Sequence, residues 1–313
     1  MPDHGPPPSR AKVYAAFAAV YVIWGSTYLG IRFALETLPP FLMAAVRFLA
    51  AGAVLYAWSR WRGSPAPSPR AWRSSLLVGG LLFLGGNGAV VWAQQYVPSG
   101  VAALLVAIEP MLFVLLDGFR RRERPTRSVF FGLVLGLAGV AVLIGPGSIL
   151  GGGRVDVAAA LVLVAGAFSW AVGSLLSRSA AMPRSPAMAT AATLLGGGAL
   201  LLVVSVLRGE PFALDVAAIS ARSLVALFYL FSFGSLVGFT AYLWILRVAT
   251  PARAATYAYV NPVVAVLLGW AFAGEALTAR MGIAAAIIVG AVALIIQTGG
   301  ESARPAQADQ EAA

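Results

Sequence analysis

The sequence predicts an all-α integral membrane protein with ten transmembrane helices, arranged as two inverted five-helix repeats around a central cavity. Three observations carry this expectation. Of 313 residues, 60% are hydrophobic and only 11% charged, whereas soluble domains carry roughly 25% charged residues. The apolar residues fall in bilayer-length runs, with a mean hydropathy of +0.85. The basic residues fall between those runs, and unequally on alternate sides. The same composition argues against a soluble enzyme, a disordered chain or a fibrous protein. There is no Cys, hence no disulfide, thiolate metal site or cysteine nucleophile. The single histidine, His4, sits in the Pro-rich start HGPPPSR, so no histidine-held metal and no Ser-His-Asp triad is expected. No cofactor and no metal is implied.

A spanning helix needs about 20 mostly apolar residues. Reading in order, the first is 12–35, which follows Arg10 and begins at Lys12. It runs on through WGSTYLGI without a small-residue cleavage site, so it is expected to be a retained helix. The second, 40–60, runs from Pro40 to Arg60. The third and fourth, 72–95 and 98–119, share an uncharged stretch of 35 residues from Ser74 to Ile108. At about 1.5 Å per residue that stretch is too long for one span. The segment QQYVPSG divides it, because Pro98 and Gly100 disrupt a helix and favour a turn. The fifth is 127–146, and the second half repeats the plan with 156–178, 185–207, 222–246, 251–274 and 279–298.

Charge then sets orientation. With the N-terminus placed inside and the spans alternating, sixteen basic residues fall on inner segments and four (Arg154, Arg208, Arg222 and Arg280) on outer ones. Arg32 and Arg47 fall within spans. This bias predicts a multi-pass protein of a bacterial inner (plasma) membrane with both termini in the cytoplasm. The net charge of +10 is then explained by topology and anionic lipid, and nucleic acid is not an expected partner. The polar ends, residues 1–11 and 299–313, read as disordered cytoplasmic tails.

The chain also repeats itself. AFSWAVGSLLSRSA (167–180) aligns with YVIWGSTYLGIRFA (21–34), placing Trp170 on Trp24 and Arg178 on Arg32. Further on, NPVVAVLL (261–268) aligns with EPMLFVLL (109–116), with Glu275 on Glu123 and Thr278 on Thr126. The halves are 12–146 and 156–298, joined by an outer linker at 147–155. Each holds five spans, and five is odd, so the second half enters the membrane from the opposite side, as in many secondary transporters.

Two long segments, WGSTYLGIRFALETLPPFLMAAVRFLAAG near the start and TYAYVNPVVAVLLGWAFAGEALT near the end, resemble the drug/metabolite transporter superfamily, specifically its EamA family of bacterial permeases. The resemblance runs from about Val13 to Thr298. It implies ten helices, a substrate cavity between two pseudo-symmetric halves, and export of amino acids, related metabolites or toxic, drug-like compounds.

Ionisable groups inside a membrane are costly, so each is a functional candidate. Glu109, in AIEPML, lies near mid-span and is expected to bind a cationic group of the solute or a coupling proton. Arg47 lies at similar depth, and an intramembrane Arg47–Glu109 ion pair is the structural alternative. Pro110 and Pro262 occupy matching positions. Each removes a backbone donor, freeing the carbonyls of Val106 and Ala258, and is expected to break or kink its helix at the cavity. Tyr21, Trp24 and Tyr28 share one helix face. Asn87 and Gln94 are seven apart, Tyr257 and Asn261 four apart, Trp170 shares a face with Ser174, and Tyr242 lies within the eighth span. An amphipathic cavity needs such aromatic walls and a few hydrogen-bonding groups. The expected solute contacts are therefore Trp24, Tyr28, Asn87, Glu109, Trp170, Tyr242, Tyr257 and Asn261, set against packing as the plain alternative.

Other polar residues read as structural. Trp58, Trp61 and Trp72 suit an interface belt. Arg32 and Glu36, four apart, are expected to form a surface pair. Glu123 and Glu275 are expected to cap locally or pair with Arg127 and Arg280, in a structural or gating role. The GxxxG pairs Gly132/Gly136 and Gly234/Gly238 let helices approach closely.

A secondary transporter is the function these residues favour, with a small-molecule solute, the lipid bilayer and a coupling proton as candidate partners and no oligomer implied. A lipid-linked metabolite flippase is the rival within transport, and a non-transporting membrane scaffold subunit the rival outside it. An intramembrane enzyme is disfavoured, because His and Cys are missing from the spans and a two-Asp protease is not possible with only Asp117 within a span, near its inner end. No GxxxxGK[ST] segment is present to drive transport by ATP.

Overall fold

The computed structural model describes residues 10–122, 127–144, 156–248 and 257–301. All regular structure among them is helical. Seven helices are long and apolar enough to cross a membrane: Arg10–Ala34, Pro40–Trp61, Pro69–Ala93, Ser99–Arg120, Val157–Ser179, Pro186–Leu207 and Ala221–Tyr242. Three shorter apolar helices accompany them, at Phe130–Leu143, Val260–Ala273 and Ala279–Ala291. The linker 147–155 and most of both tails lie outside the described residues. Arg10 already belongs to the first helix, and the last runs to Glu301.

In chain order the helices are α1 (Arg10–Ala34), α2 (Pro40–Trp61), α3 (Pro69–Gly79), α4 (Gly88–Ala93), α5 (Ser99–Val106), α6 (Glu109–Arg121), α7 (Arg127–Ile144), α8 (Val157–Ser179), α9 (Pro186–Leu207), α10 (Glu210–Ala213), α11 (Ala221–Tyr229), α12 (Gly238–Val248), α13 (Tyr257–Ala273) and α14 (Ala279–Glu301). A π-helical segment, Gly80–Asn87, joins α3 to α4, and another, Leu230–Val237, joins α11 to α12. The two segments are equal in length, and each is followed by a glycine, Gly88 and Gly238.

Local chemistry explains where these helices start. Ser68, Asp156, Ser185 and Ser220 each accept a backbone N–H three residues on, from Ala71, Ala159, Met188 and Ser223. Proline follows the cap at Pro69 and Pro186, where its missing N–H costs nothing.

Two starts are capped from a distance instead. Glu275 accepts the N–H of Ser99 at 2.7 Å and of Gly100 at 3.1 Å, at the start of α5. Glu210 accepts the N–H of Leu42 at 2.8 Å and of Phe41 at 3.4 Å, at the start of α2, and the Ser205 hydroxyl at 2.9 Å. Both glutamates follow a glycine in the left-handed region, Gly209 (φ +74°) and Gly274 (φ +64°). That turn reverses the chain so the carboxylate meets a neighbouring helix. The local pairing expected for Glu275 is thus replaced by a tertiary cap. Orphan amides at a helix N-terminus, with the dipole behind them, attract a carboxylate strongly where water is excluded. Arg122, just before Glu123, also has a left-handed φ of 58°; Glu123 itself lies outside the described residues.

The packing is reciprocal between the two halves. α2 lies along α9, and α7 along α14. α1 packs on α13 and α12, while α8 packs on α5, α6 and the first π segment. α2 also meets the second π segment, as α9 meets the first. Gly79 and Gly197 let α3 and α9 touch backbone to backbone: a Cβ on Gly79 would strike the Thr193 carbonyl and the Gly197 nitrogen. At Gly282 a Cβ would meet nothing within 4 Å. Gly79→Val is accordingly expected to destabilise the bundle by about 1–3 kcal/mol and to cut the folded yield. Gly282→Val should leave both near the parent. Thermal unfolding and size-exclusion profiles of the two variants in detergent check the contrast.

Candidate functional site

A cavity of about 110 Å³ lies inside the bundle, lined by residues of both halves. α1 contributes Trp24, Thr27 and Tyr28, and α2 contributes Arg47. Asn87 comes from the first π segment, Glu109 and Pro110 from the start of α6. The second half contributes Trp170, Phe239, Tyr257, Asn261 and Pro262. Seven of the eight expected contact residues therefore line one cavity. Tyr242 does not; its ring packs behind the wall, 4.9 Å from Trp24 and 5.7 Å from Tyr257. Phe239, one turn earlier on α12, takes that place, with its ring 5.2 Å from Trp24. Helix rotation decides which of two neighbouring aromatics faces inward.

Each tryptophan lies against a glycine at or beside a π segment of the opposite half. The Trp24 indole N–H donates to the Gly234 carbonyl at 3.3 Å, inside the second π segment. A Cβ on Gly238 would come within 2.5 Å of that indole nitrogen, so glycine makes room for the ring. Trp170 lies against Gly86, where a Cβ would come within 2.8 Å of the ring. The adjacent Ser169 hydroxyl donates to the Leu81 carbonyl of the first π segment at 2.8 Å. Both wide turns expose carbonyls that the opposite half satisfies.

Glu109 stands in the first turn of α6, after a break at Ala107–Ile108. Proline is well placed in such a first turn, and the interruption lies within the span Ser99–Arg120. Pro262 differs: it lies inside the unbroken helix α13, held by surrounding contacts. The Tyr257 hydroxyl donates to Glu109 Oε1 at 3.3 Å. Asn261 is buried; with its amide nitrogen turned to donate, it reaches the carbonyls of Tyr21 at 3.2 Å and Tyr257 at 3.3 Å. It thereby ties α13 to α1. Asn87 makes no side-chain hydrogen bond with the described residues and borders the cavity.

Arg47 and Glu109 line the cavity without forming an ion pair. Arg47 Nε donates to the Ser235 hydroxyl at 2.9 Å, and Glu109 is held by Tyr257. The expected Arg32–Glu36 pair is also replaced: Glu36 meets Arg222 at 3.1 Å, across the two halves. Arg222 covers the Phe33 ring as well, at 3.7 Å, so it has a second reason to lie there. Sequence spacing favoured the local partner and could not see the remote one. Among the described residues no three of His, Cys, Asp and Glu gather to hold a metal. Thr27 and Phe239 are wall residues the sequence did not single out; Thr27 adjoins Tyr28, but its own hydroxyl is spent on the Trp24 carbonyl at 2.6 Å.

Known proteins resemble this chain along most of its length. The model of the EamA-like transporter family matches residues 11–145 and 157–297. The inner membrane transporter YedA of Escherichia coli K12 is 39% identical over 287 residues, covering 90% of each chain. A Salmonella typhimurium protein named as a probable amino-acid metabolite efflux pump is 26% identical over 291 residues, covering 90% of this chain and 93% of its own. One crystal structure superposes with a TM-score of 0.61 at 26% identity, covering 92% of this chain and 98% of its own.

Interhelical hydrogen bonds within membrane bundles average about 0.6 kcal/mol in double-mutant cycles. A cycle of Tyr257→Phe with Glu109→Gln is expected to show coupling of that size. Denaturant titration of the four proteins in mixed micelles measures it; coupling near zero would separate the two side chains energetically.

Proposed function

The chain belongs to the EamA-like transporter family, and from that membership we propose that it is a secondary transporter exporting amino acids, related metabolites or drug-like solutes by alternating access. The observation that carries the reading is the cavity where the two halves meet: aromatic walls, with an acid and a base that form no ion pair among the described residues. Such a site recognises an amphipathic organic solute, and charged groups kept inside a bilayer protein mark a transport pathway.

The proposed architecture has ten spans in two inverted repeats, with both termini in the cytoplasm of a bacterial cell. The reciprocal packing supports it, as do the two π segments at matching places and the inner bias of basic residues. Solute enters between the halves from the cytoplasm. Trp24, Trp170 and Tyr257 contact its body, and Asn87, Asn261 and Glu109 its polar end. Rocking of one half on the other then exposes it outside. A proton gradient or the solute's own gradient supplies the energy, and Glu109 is the group that would take a cationic substituent or the coupling proton.

Counterflow in proteoliposomes tests this, with labelled amino acids, nucleobases and small cationic drugs at two pH values. Saturable exchange of one class is the expected result; no exchange by folded protein across the panel defeats the reading. Glu109→Gln preserves the shape of the site and removes its charge. It should fold and lose either transport or its pH dependence. Normal, pH-dependent transport would take Glu109 out of the mechanism, and failure to fold would mark it as structural.

A further inference from the structure

Arg47 is 3% exposed and lies within the membrane-length helix Pro40–Trp61. A buried cation needs a compensating partner, and the described residues offer it no carboxylate. The acid that shares its cavity, Glu109, is bound to Tyr257. What holds Arg47 is neutral: the Ser235 hydroxyl on Nε at 2.9 Å and the Phe48 ring 4.7 Å from the guanidinium carbon. Ser235 in turn donates to the Leu230 carbonyl at 3.2 Å, across the π turn. Gly234 leaves the room required, since a Cβ there would come within 3.0 Å of Nη2. The guanidinium is thus clamped at Nε, while neither terminal nitrogen hydrogen-bonds a described residue. Thr193, which falls on Arg47 when TAATLLGGGALL (190–201) is aligned with AAVRFLAAGAVL (44–55), closes on its own helix, its hydroxyl donating to the Ala189 carbonyl at 2.7 Å. The cation is therefore a feature of one side only.

A planar fork fixed at one nitrogen and open at the other two is suited to a carboxylate or similar oxyanion. We infer that Arg47 is the group that takes the anionic end of the solute, a carboxylate or other compact oxyanion, and that Ser235 is the positioning residue that aims it. The inference rests on the transporter reading and deepens it. With Glu109 in the same cavity, the site selects solutes that carry a positive and a negative end on an apolar body. The solute anion then completes the partnership that the protein leaves open.

The test compares binding of L-leucine and L-leucinamide, which share an ammonium and an apolar body and differ at the carboxylate. Both are titrated against the full chain in nanodiscs. The parent should prefer leucine by about tenfold or more, the scale of a charge-assisted pair. Arg47→Gln should bring the two within about twofold, and Arg47→Lys should retain part of the preference, because it keeps the charge and loses the fork. Ser235→Ala should weaken leucine and leave leucinamide unchanged; a merely structural role would weaken both alike. Equal binding by the parent, binding of neither, or a preference that survives Arg47→Gln overturns the proposal. If Arg47→Gln does not fold, an undiminished preference in Arg47→Lys overturns it instead. Counterflow on the same preparations separates the two readings. Leucine preference without exchange defeats transport and keeps the subsite, whereas exchange without preference defeats the subsite alone.

Discussion

In a bundle this apolar, polar groups that water would otherwise satisfy must find partners inside the protein. That constraint explains the features that sequence periodicity leaves out. The N-termini of α2 and α5 are closed by Glu210 and Glu275, each reaching over from the other half. The wide π turns, which leave carbonyls without their usual partners, are closed by Trp24, Ser169 and Ser235. Three of these five contributors cross between the halves at helix ends or turns, and a fourth, Trp24, does so from α1. Polar satisfaction and the joining of the halves are therefore one interaction network.

Close packing sets the shape of the space that remains. Glycines at Gly79 and Gly197 bring α3 and α9 together. Gly86 and Gly238 instead yield room to tryptophan rings. The same residue type thus closes the bundle in one place and shapes a cavity wall in another. Small residues serve both ends because van der Waals contact, rather than water expulsion, drives helix association in lipid.

Within this network two ionisable side chains stand out, whereas the buried polar atoms of Ser59, Ser75, Gln94 and Ser99 have no hydrogen-bond partner among the described residues. Arg47 and Glu109 share a cavity and are each held by a neutral hydroxyl, Ser235 and Tyr257, instead of by one another. A direct ion pair would neutralise the site. Held apart, the two side chains leave an acid and a base on the wall of one cavity, at a cost that the hydroxyl bonds and the Phe48 ring offset only in part.

Much of the architecture was legible in the chain. Seven membrane-length helices follow from runs of about 20 apolar residues, and seven of the eight residues singled out for a cavity line one. These are local properties, fixed by composition and by the geometry of a helix. Partner choice was not legible. Glu36 meets Arg222 and not Arg32, Glu275 caps a helix of the other half and not its own turn, and Phe239 displaces Tyr242 from the wall. Pro110 breaks its helix whereas Pro262 does not, although the two occupy matching places. In each case several partners or rotations are compatible with the local sequence. The sequence by itself therefore determined the class of the fold, its apolar spans and the residues worth watching. Only the tertiary structure decided which of them meet, because helix rotation and contacts between distant segments depend on packing that no single stretch of chain encodes.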